Sequence, residues 1–526
     1  MRAQRFALAW GAAFLLAAAS FLAAAAPGKV LRYASQFDPG TMDPHAIASL
    51  YNARVLTQIY EPLIWRDEQF RLEPRLALSW TPTGPTTWRF KLRPNVKFHD
   101  GTPFDAEDVI FTIQRAQAPT SAQRITLPNV VGVKKVDDLT IDIMTSQPTP
   151  VLPLAITNMR IMSKAWSVKH KVEKPLDFNA KEETYASRNA NGTGPYQLKQ
   201  WDADVKTVLI AFPGYWGKRG NVTEAQYLVI GTAATRVAGL ISGEIDFVVD
   251  PAVQDVDRLL SMPGVKVVQG MSLGTQYLGF DFSRDTLLYS DVKGKNPFRD
   301  VRVRQAFRLA IDNAALQAKV MRTSGTAASV ILSPIVDGYD ARFDRKPSYD
   351  PARARALLKE AGYPDGFGVT LDCSAQQPAD AICQAVAAML ARVGVRVTYQ
   401  PLAFNIVLPK LLGRDTSFYC IGWTPITADA EGVLVPLVHS RTAPGTGDYN
   451  FGGYANPAVD ALVDKARVEL DTAKRKQYLV EATAALDADF ALIPLIHRRV
   501  VWVMRKNVTA IARPNDNLDL RFVNIE

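Results

Sequence analysis

The chain has 526 residues, 48% of them hydrophobic and 21% charged, with a formal charge of +9. That length exceeds what one hydrophobic core serves, so two or three domains are expected, and the composition excludes a chain dominated by disorder. Lys and Arg form no dense block, which argues against a nucleic-acid partner, and the group Arg302, Arg304 and Arg308 reads as a solvated helix face.

At the N-terminus Arg2 and Arg5 precede an apolar run, Phe6 to Ala26, ending in small residues with an Ala23-x-Ala25 pattern. This is the order of a Sec-type signal peptide over residues 1–25, cleaved to leave a soluble periplasmic protein; an uncleaved anchor is the rival reading. The leader holds no Cys for a lipid anchor and no twin-arginine pair, and no later stretch is apolar enough to span a membrane. Of the three cysteines, Cys373 and Cys383 could be bridged in an oxidising compartment or remain free, while Cys420 sits in an apolar run and reads as a buried small hydrophobe.

Val30 to Ala34 reads as a short core strand, followed by turn-rich steps at Asp38-Pro39-Gly40 and Met42-Asp43-Pro44-His45 and a helical stretch from Ala48 to Tyr60. Trp88, Phe90 and Leu92 alternate with Arg89 and Lys91, the period of a strand with one wet face. Pro94-Asn95 and Asp100-Gly101 supply turns around Lys97-Phe98, and Asp105 stands as N-cap of a helix, with Glu107 and Asp108 in its first turn and Phe104 placed against Val109. The run Trp88 to Val109, with Val96-Lys97-Phe98-His99-Asp100-Gly101-Thr102-Pro103-Phe104 at its centre, resembles the signature of the family 5 extracytoplasmic solute-binding proteins. Those are the peptide and nickel receptors of ABC importers. The resemblance implies an α/β protein of the periplasmic binding protein type II kind, with two lobes joined by a two-strand hinge and an extra subdomain in the first lobe.

Val130 to Met144 forms a second hairpin, and Asn191-Gly192-Thr193-Gly194-Pro195-Tyr196 is similar to a family motif where the chain re-enters the main sheet. Strands Tyr196 to Trp201 and Val205 to Ala211 follow, then helix, strand and helix from Ala233 to Leu260, an α/β alternation. Gly270-Met271-Ser272-Leu273-Gly274 matches the nucleophile elbow of serine hydrolases, but that motif needs a strand turning into a helix, and Tyr277 to Phe282 continues as a strand. A serine hydrolase using Ser272 is therefore the lesser reading. Asp300, Asp350-Pro351, Asn456-Pro457 and Asp471 each open a helix, and Val369 to Tyr399 reads as a strand, helix, strand unit with parallel pairing.

The resemblance implies lobe 1 over 26–273 plus 494–526, with an inserted subdomain at about 56–190, and lobe 2 over 274–493, crossing near Tyr277 and Ile493. It also implies a monomer with no catalytic activity and no cofactor, delivering a small solute, peptide-like or other, to an inner-membrane ABC permease and its ATPase. By position, the family's cleft-lining segment carries over to Phe37, Asp38 and Thr41. Trp423, Asp429 and Trp502 complete the expected ligand set. In peptide binders of the family an acid three residues past this Trp holds the peptide amine; here that position is Ile426, which leaves the solute open. No metal site is expected from His45, His99, His170, His439 and His497, which are scattered without ligand spacing.

Overall fold

The structure is a computed structural model that describes residues 28–526 except 128, 179, 345–347 and 443–444; the expected signal peptide lies outside the described residues. Its spine is a pair of long antiparallel strands, Val265–Phe280 and Leu492–Arg505. They lie at the centre of an eleven-stranded sheet. On one side of the pair, Val30–Ser35 runs parallel to Phe247–Val248 and to Glu224–Val229, and Lys206–Ala211 and Tyr196–Asp202 extend the sheet antiparallel. On the other side, Phe418–Trp423 pairs antiparallel with Val265–Phe280 and parallel with Gly368–Ser374, which in turn lies parallel to Arg396–Leu402. The parallel unit read between Val369 and Tyr399 is present, closed by helix Ala379–Ala391.

The apolar side chains divide this sheet between separate cores. Val500, Trp502 and Met504 of the return strand pack with Leu31, Tyr33, Leu56, Tyr196 and Phe247. Ile493, Leu495 and Ile496 of the same strand pack instead with Leu278, Phe280, Phe307 and Leu371. The strand pair thus leaves one hydrophobic interior and enters another within a few residues. At that joint the register breaks: Met271 faces Arg499, then Thr275 faces His497, so residues 272–274 bulge from the ladder. A bulge bends a strand where its pairing is weakest, which suits a joint between two packed bodies.

A smaller sheet, ordered Ala77–Gly84, Thr87–Leu92, Thr140–Thr145, Val130–Asp137, is built by the two hairpins and packs its own core with helix Ala106–Ala116. Asp105 and Asp108 close a reciprocal capping box at that helix, and Phe104 and Val109 share the buried cluster. The Gly-Thr-Gly motif is a packing device: a Cβ on Gly192 would fall 2.0 Å from the Ile59 carbonyl oxygen, and one on Gly194 2.5 Å from that of Gln58. Only glycine lets this segment lie against the end of helix Leu50–Ile59.

One reading of the sequence needs amending and one open pairing is decided. The Arg302, Arg304, Arg308 group is not a uniformly solvated face: Arg304 is 5% exposed and donates to the carbonyls of Phe298 at 2.7 Å and Asp489 at 2.9 Å. Those acceptors lie on neighbouring elements, so the buried guanidinium ties the helix to them. Cys373 and Cys383 are bridged, and Cys420 is buried within 4.8 Å of them.

Candidate functional site

The joint brings charged groups together where sequence alone places none. In the apolar run Ala491–Met504 the charges are Arg498 and Arg499, and by strand alternation Arg498 shares a face with Val500 and Trp502. Arg498 lies against Gly274 of the bulge and Gly422 of the adjacent strand; a Cβ on Gly274 would sit 2.3 Å from its Nη2. Its single hydrogen bond among the described residues goes from Nη2 to the hydroxyl of Thr424, next to Trp423, and its Nε is enclosed without an acceptor. Burial lowers the affinity of this guanidinium for its proton, and Asp516 is the carboxylate that opposes that effect.

Asp516 belongs to a second cluster on the same side. Arg54 is 0% exposed and spans two carboxylates, donating to Asp250 at 2.8 Å and to Asp516 at 2.9 Å. The indole N–H of Trp502 donates to the other oxygen of Asp516 at 2.8 Å, and Ser35 and the Gln36 amide donate to Asp250. Burial pushes the Asp516 carboxyl up, against the pull of Arg54 and with the added repulsion of Asp250. For Asp250, burial also favours the neutral acid, but Arg54 and its hydrogen bonds prevail and hold it below the usual carboxylate range. Tyr51 covers Arg54 at 5.4 Å, and the ring of Phe37 meets Tyr51 edge-on at 4.8 Å.

The six expected ligand residues fall into two groups. Phe37 is 43% exposed and reaches the Arg54 cluster through Tyr51; Asp38 beside it accepts from the indole of Trp201 at 3.1 Å; Trp423 is half-buried, held by its N–H on the Gly432 carbonyl and by Tyr449, and neighbours Arg498 through Thr424. Thr41, Asp429 and Trp502 have structural partners in place of an open face. The Thr41 hydroxyl accepts from the Asp43 amide, Trp502 is buried on Asp516 and Phe247, and both oxygens of the fully buried Asp429 accept from Arg475, at 2.7 and 2.8 Å. Ile426, where an acid would hold a peptide amine, is exposed, and its carbonyl accepts from Asn158 at 3.4 Å. The sequence reading missed Arg54, Asp250, Arg498 and Asp516; the available signal was a charge pair inside an apolar strand and the polar run Asn515-Asp516-Asn517.

Ser272 has no hydrolase geometry. It lies within the strand, its hydroxyl accepts from the Gly274 amide at 3.1 Å, and the histidine at the joint, His497, shares its hydrogen bond with Thr275. Around the joint the two bodies touch through a polar contact, Arg66 donating to the Thr427 carbonyl at 2.7 Å, while the Leu273 amide donates to that of Pro514 at 3.1 Å and ties the bulge to the C-terminal segment.

Comparison with known proteins agrees with this architecture. The profile described as bacterial extracellular solute-binding proteins, family 5, matches residues 71–445. The chain is 28% identical to the glutathione-binding protein GsiB of Salmonella paratyphi A over 513 residues, 95% of each chain. It is 27% identical to the dipeptide-binding protein of Escherichia coli K12, covering 93% of this chain and 92% of that one. Among solved structures, the periplasmic binding protein DppA of Helicobacter pylori, in complex with the peptide STSA, superposes with a TM-score of 0.78 at 23% identity, covering 95% of this chain and 98% of the other. The fold is that of the two-lobed type II binding proteins, and the chain belongs to the family 5 extracellular solute-binding proteins of bacteria.

Proposed function

We propose that the chain is the substrate-binding component of an ABC importer, which captures a peptide or another small solute between two lobes outside the inner membrane and delivers it to the permease and its ATPase. The observation that carries this reading is the pair of crossing strands whose register breaks where the two cores part. Such a joint lets one body rotate on the other. A solute that touches both bodies at once stabilises the closed arrangement alone, and closure is the signal the permease reads. The lobes are residues 26–273 with 494–526 and residues 274–493, the first carrying a subdomain at about 56–190. Phe37, Asp38, Trp423 and Arg498 face the solute, while Thr41, Asp429 and Trp502 form the frame behind them.

The family's work is binding, and Ser272 does not favour a hydrolytic role. Export by the leader over residues 1–25, a monomeric state and the absence of a cofactor complete the reading; among the described residues no helix is long and apolar enough to cross a membrane. The names of the relatives, glutathione- and dipeptide-binding, make short peptides and their conjugates the first solutes to try. Native mass spectrometry of protein purified without refolding tests the reading: a co-bound small molecule that dissociates on partial unfolding is expected. If no bound molecule is seen and calorimetry against a broad solute panel is flat, the reading fails.

A further inference from the structure

The charges at the joint do not balance. Arg54 bridges Asp250 and Asp516, the charge of Asp516 also acts on Arg498, and a third arginine, Arg236, donates to the Asp250 carbonyl. Three guanidinium groups therefore meet two carboxylates, leaving one positive charge over at Arg498, which is half-buried with its Nε enclosed. An anion at this place would neutralise that excess. Its location is specific, because Arg54 is saturated by Asp250, Ser35 and Asp516 and Arg236 by main-chain carbonyls, whereas among the described residues the Arg498 side chain donates to Thr424 alone.

Arg498 is also pre-set for a ligand. Gly274 and Gly422 remove the side chains that would otherwise occupy the space around its head group, so the guanidinium rests on bare backbone and is held in one place. A planar, pre-oriented guanidinium with free N–H donors matches a carboxylate better than any other side chain. The residue stands at the crossing itself, flanked by Thr424 and Trp423 from one body and by the Trp502–Asp516 pair from the other. An anion seated there would touch both bodies, the requirement for a contact that favours closure.

We infer that the captured solute carries a carboxylate, which seats on the free donors of Arg498 at the joint with Thr424 beside it. This inference rests on the importer reading and narrows its substrate class to organic acids, peptides with a free C-terminus included. The acid anchors one end of the solute to the crossing strand, so its charge is neutralised only in the assembled complex.

A thermal-shift screen of paired probes tests it on the unaltered protein: dialanine, N-acetyl-dialanine, hexanoate and glutathione, each against the corresponding primary amide. Stabilisation is expected among the acids, with amidation abolishing it. Arg498→Gln is expected to weaken the best acid roughly a hundredfold, the usual consequence of truncating an enclosed charge pair, while Arg498→Lys retains part of the affinity. Far-UV circular dichroism and the ligand-free melting curve of both variants serve as folding controls, and the acid-against-amide comparison needs no variant at all. Amides that stabilise as well as their acids, full affinity in Arg498→Gln, or a panel in which no acid acts would each overturn the inference. Small-angle scattering separates the two levels: if a neutral solute closes the protein, the importer reading stands and the carboxylate falls; if nothing closes it, both fall.

Discussion

Asp429 shows how the structure redirects a residue that motif position offered as a ligand. Its carboxylate is fully buried and makes two hydrogen bonds to Arg475, at 2.7 and 2.8 Å, while one oxygen also accepts the Glu431 amide at 2.8 Å at the start of helix Glu431–Leu437. Arg475 lies on helix Thr472–Ala488, and among the described residues its side chain bonds otherwise only to Glu431 and to the Ala466 carbonyl. Asp429→Asn would turn an amide N–H toward the guanidinium and leave Glu431 as its remaining carboxylate, so the loss falls at the lower end of the about 3–5 kcal/mol that breaking a buried pair costs. In a lobe of about 200 residues, where 1 kcal/mol moves the midpoint by about 2–4 °C, the lobe-2 transition should fall by on the order of 10 °C in scanning calorimetry. Solute affinity measured by titration calorimetry well below that transition should stay within a fewfold of the parent protein. An unshifted melting curve with lost affinity would refute the reasoning and return Asp429 to the solute.

The neighbouring Glu431 gives a pH dependence. Burial, then repulsion from Asp429, pushes its carboxyl up to about 7 against the pull of Arg475. The folded protein therefore binds this proton more tightly than the unfolded chain, so the stability it contributes is complete below about pH 4.5, declines as pH rises and is lost above about 7, a change of about 3 kcal/mol. Glu431→Gln should remove that slope in urea titrations across this range; an unchanged slope would count against the burial. Reducing the Cys373–Cys383 bridge, which closes a short loop, should lower lobe-2 stability by about 3 kcal/mol on the chain-entropy estimate, as read from denaturation with and without dithiothreitol. Cys420 is 2% exposed and burial pushes its thiol up to about 12, so native protein should resist iodoacetamide and unfolded, unreduced protein should take one equivalent. Rapid native alkylation would contradict that burial.

Local chemistry was legible wherever one segment decides its own conformation. Asp105, Asp300, Asp350, Asn456 and Asp471 all accept main-chain N–H groups at the helix starts the sequence marked, because a cap needs only its own next turn. The alternation of Trp88, Phe90 and Leu92 likewise became strand Thr87–Leu92. Partners distant in sequence were not legible: Arg54 meets Asp516 across 462 positions, and Asp429 meets Arg475 across 46. Arg304 looked like one more exposed arginine of an amphipathic helix because its acceptors, the carbonyls of Phe298 and Asp489, carry no sequence signal. The pair of strands expected near Tyr277 and Ile493 is present, as Val265–Phe280 and Leu492–Arg505; not legible was the bulge that places Arg498, because a bulge depends on which residues the partner strand offers.

The decisive measurement is the radius of gyration, by small-angle scattering, of the solute-stripped protein before and after addition of its co-purified solute to saturation, with calorimetry on the same samples confirming occupancy. A fall in radius that tracks occupancy is expected if two bodies rotate about the joint at 271–275 and 497–499 to enclose the solute. A protein that binds its solute at full stoichiometry with an unchanged radius would contradict it.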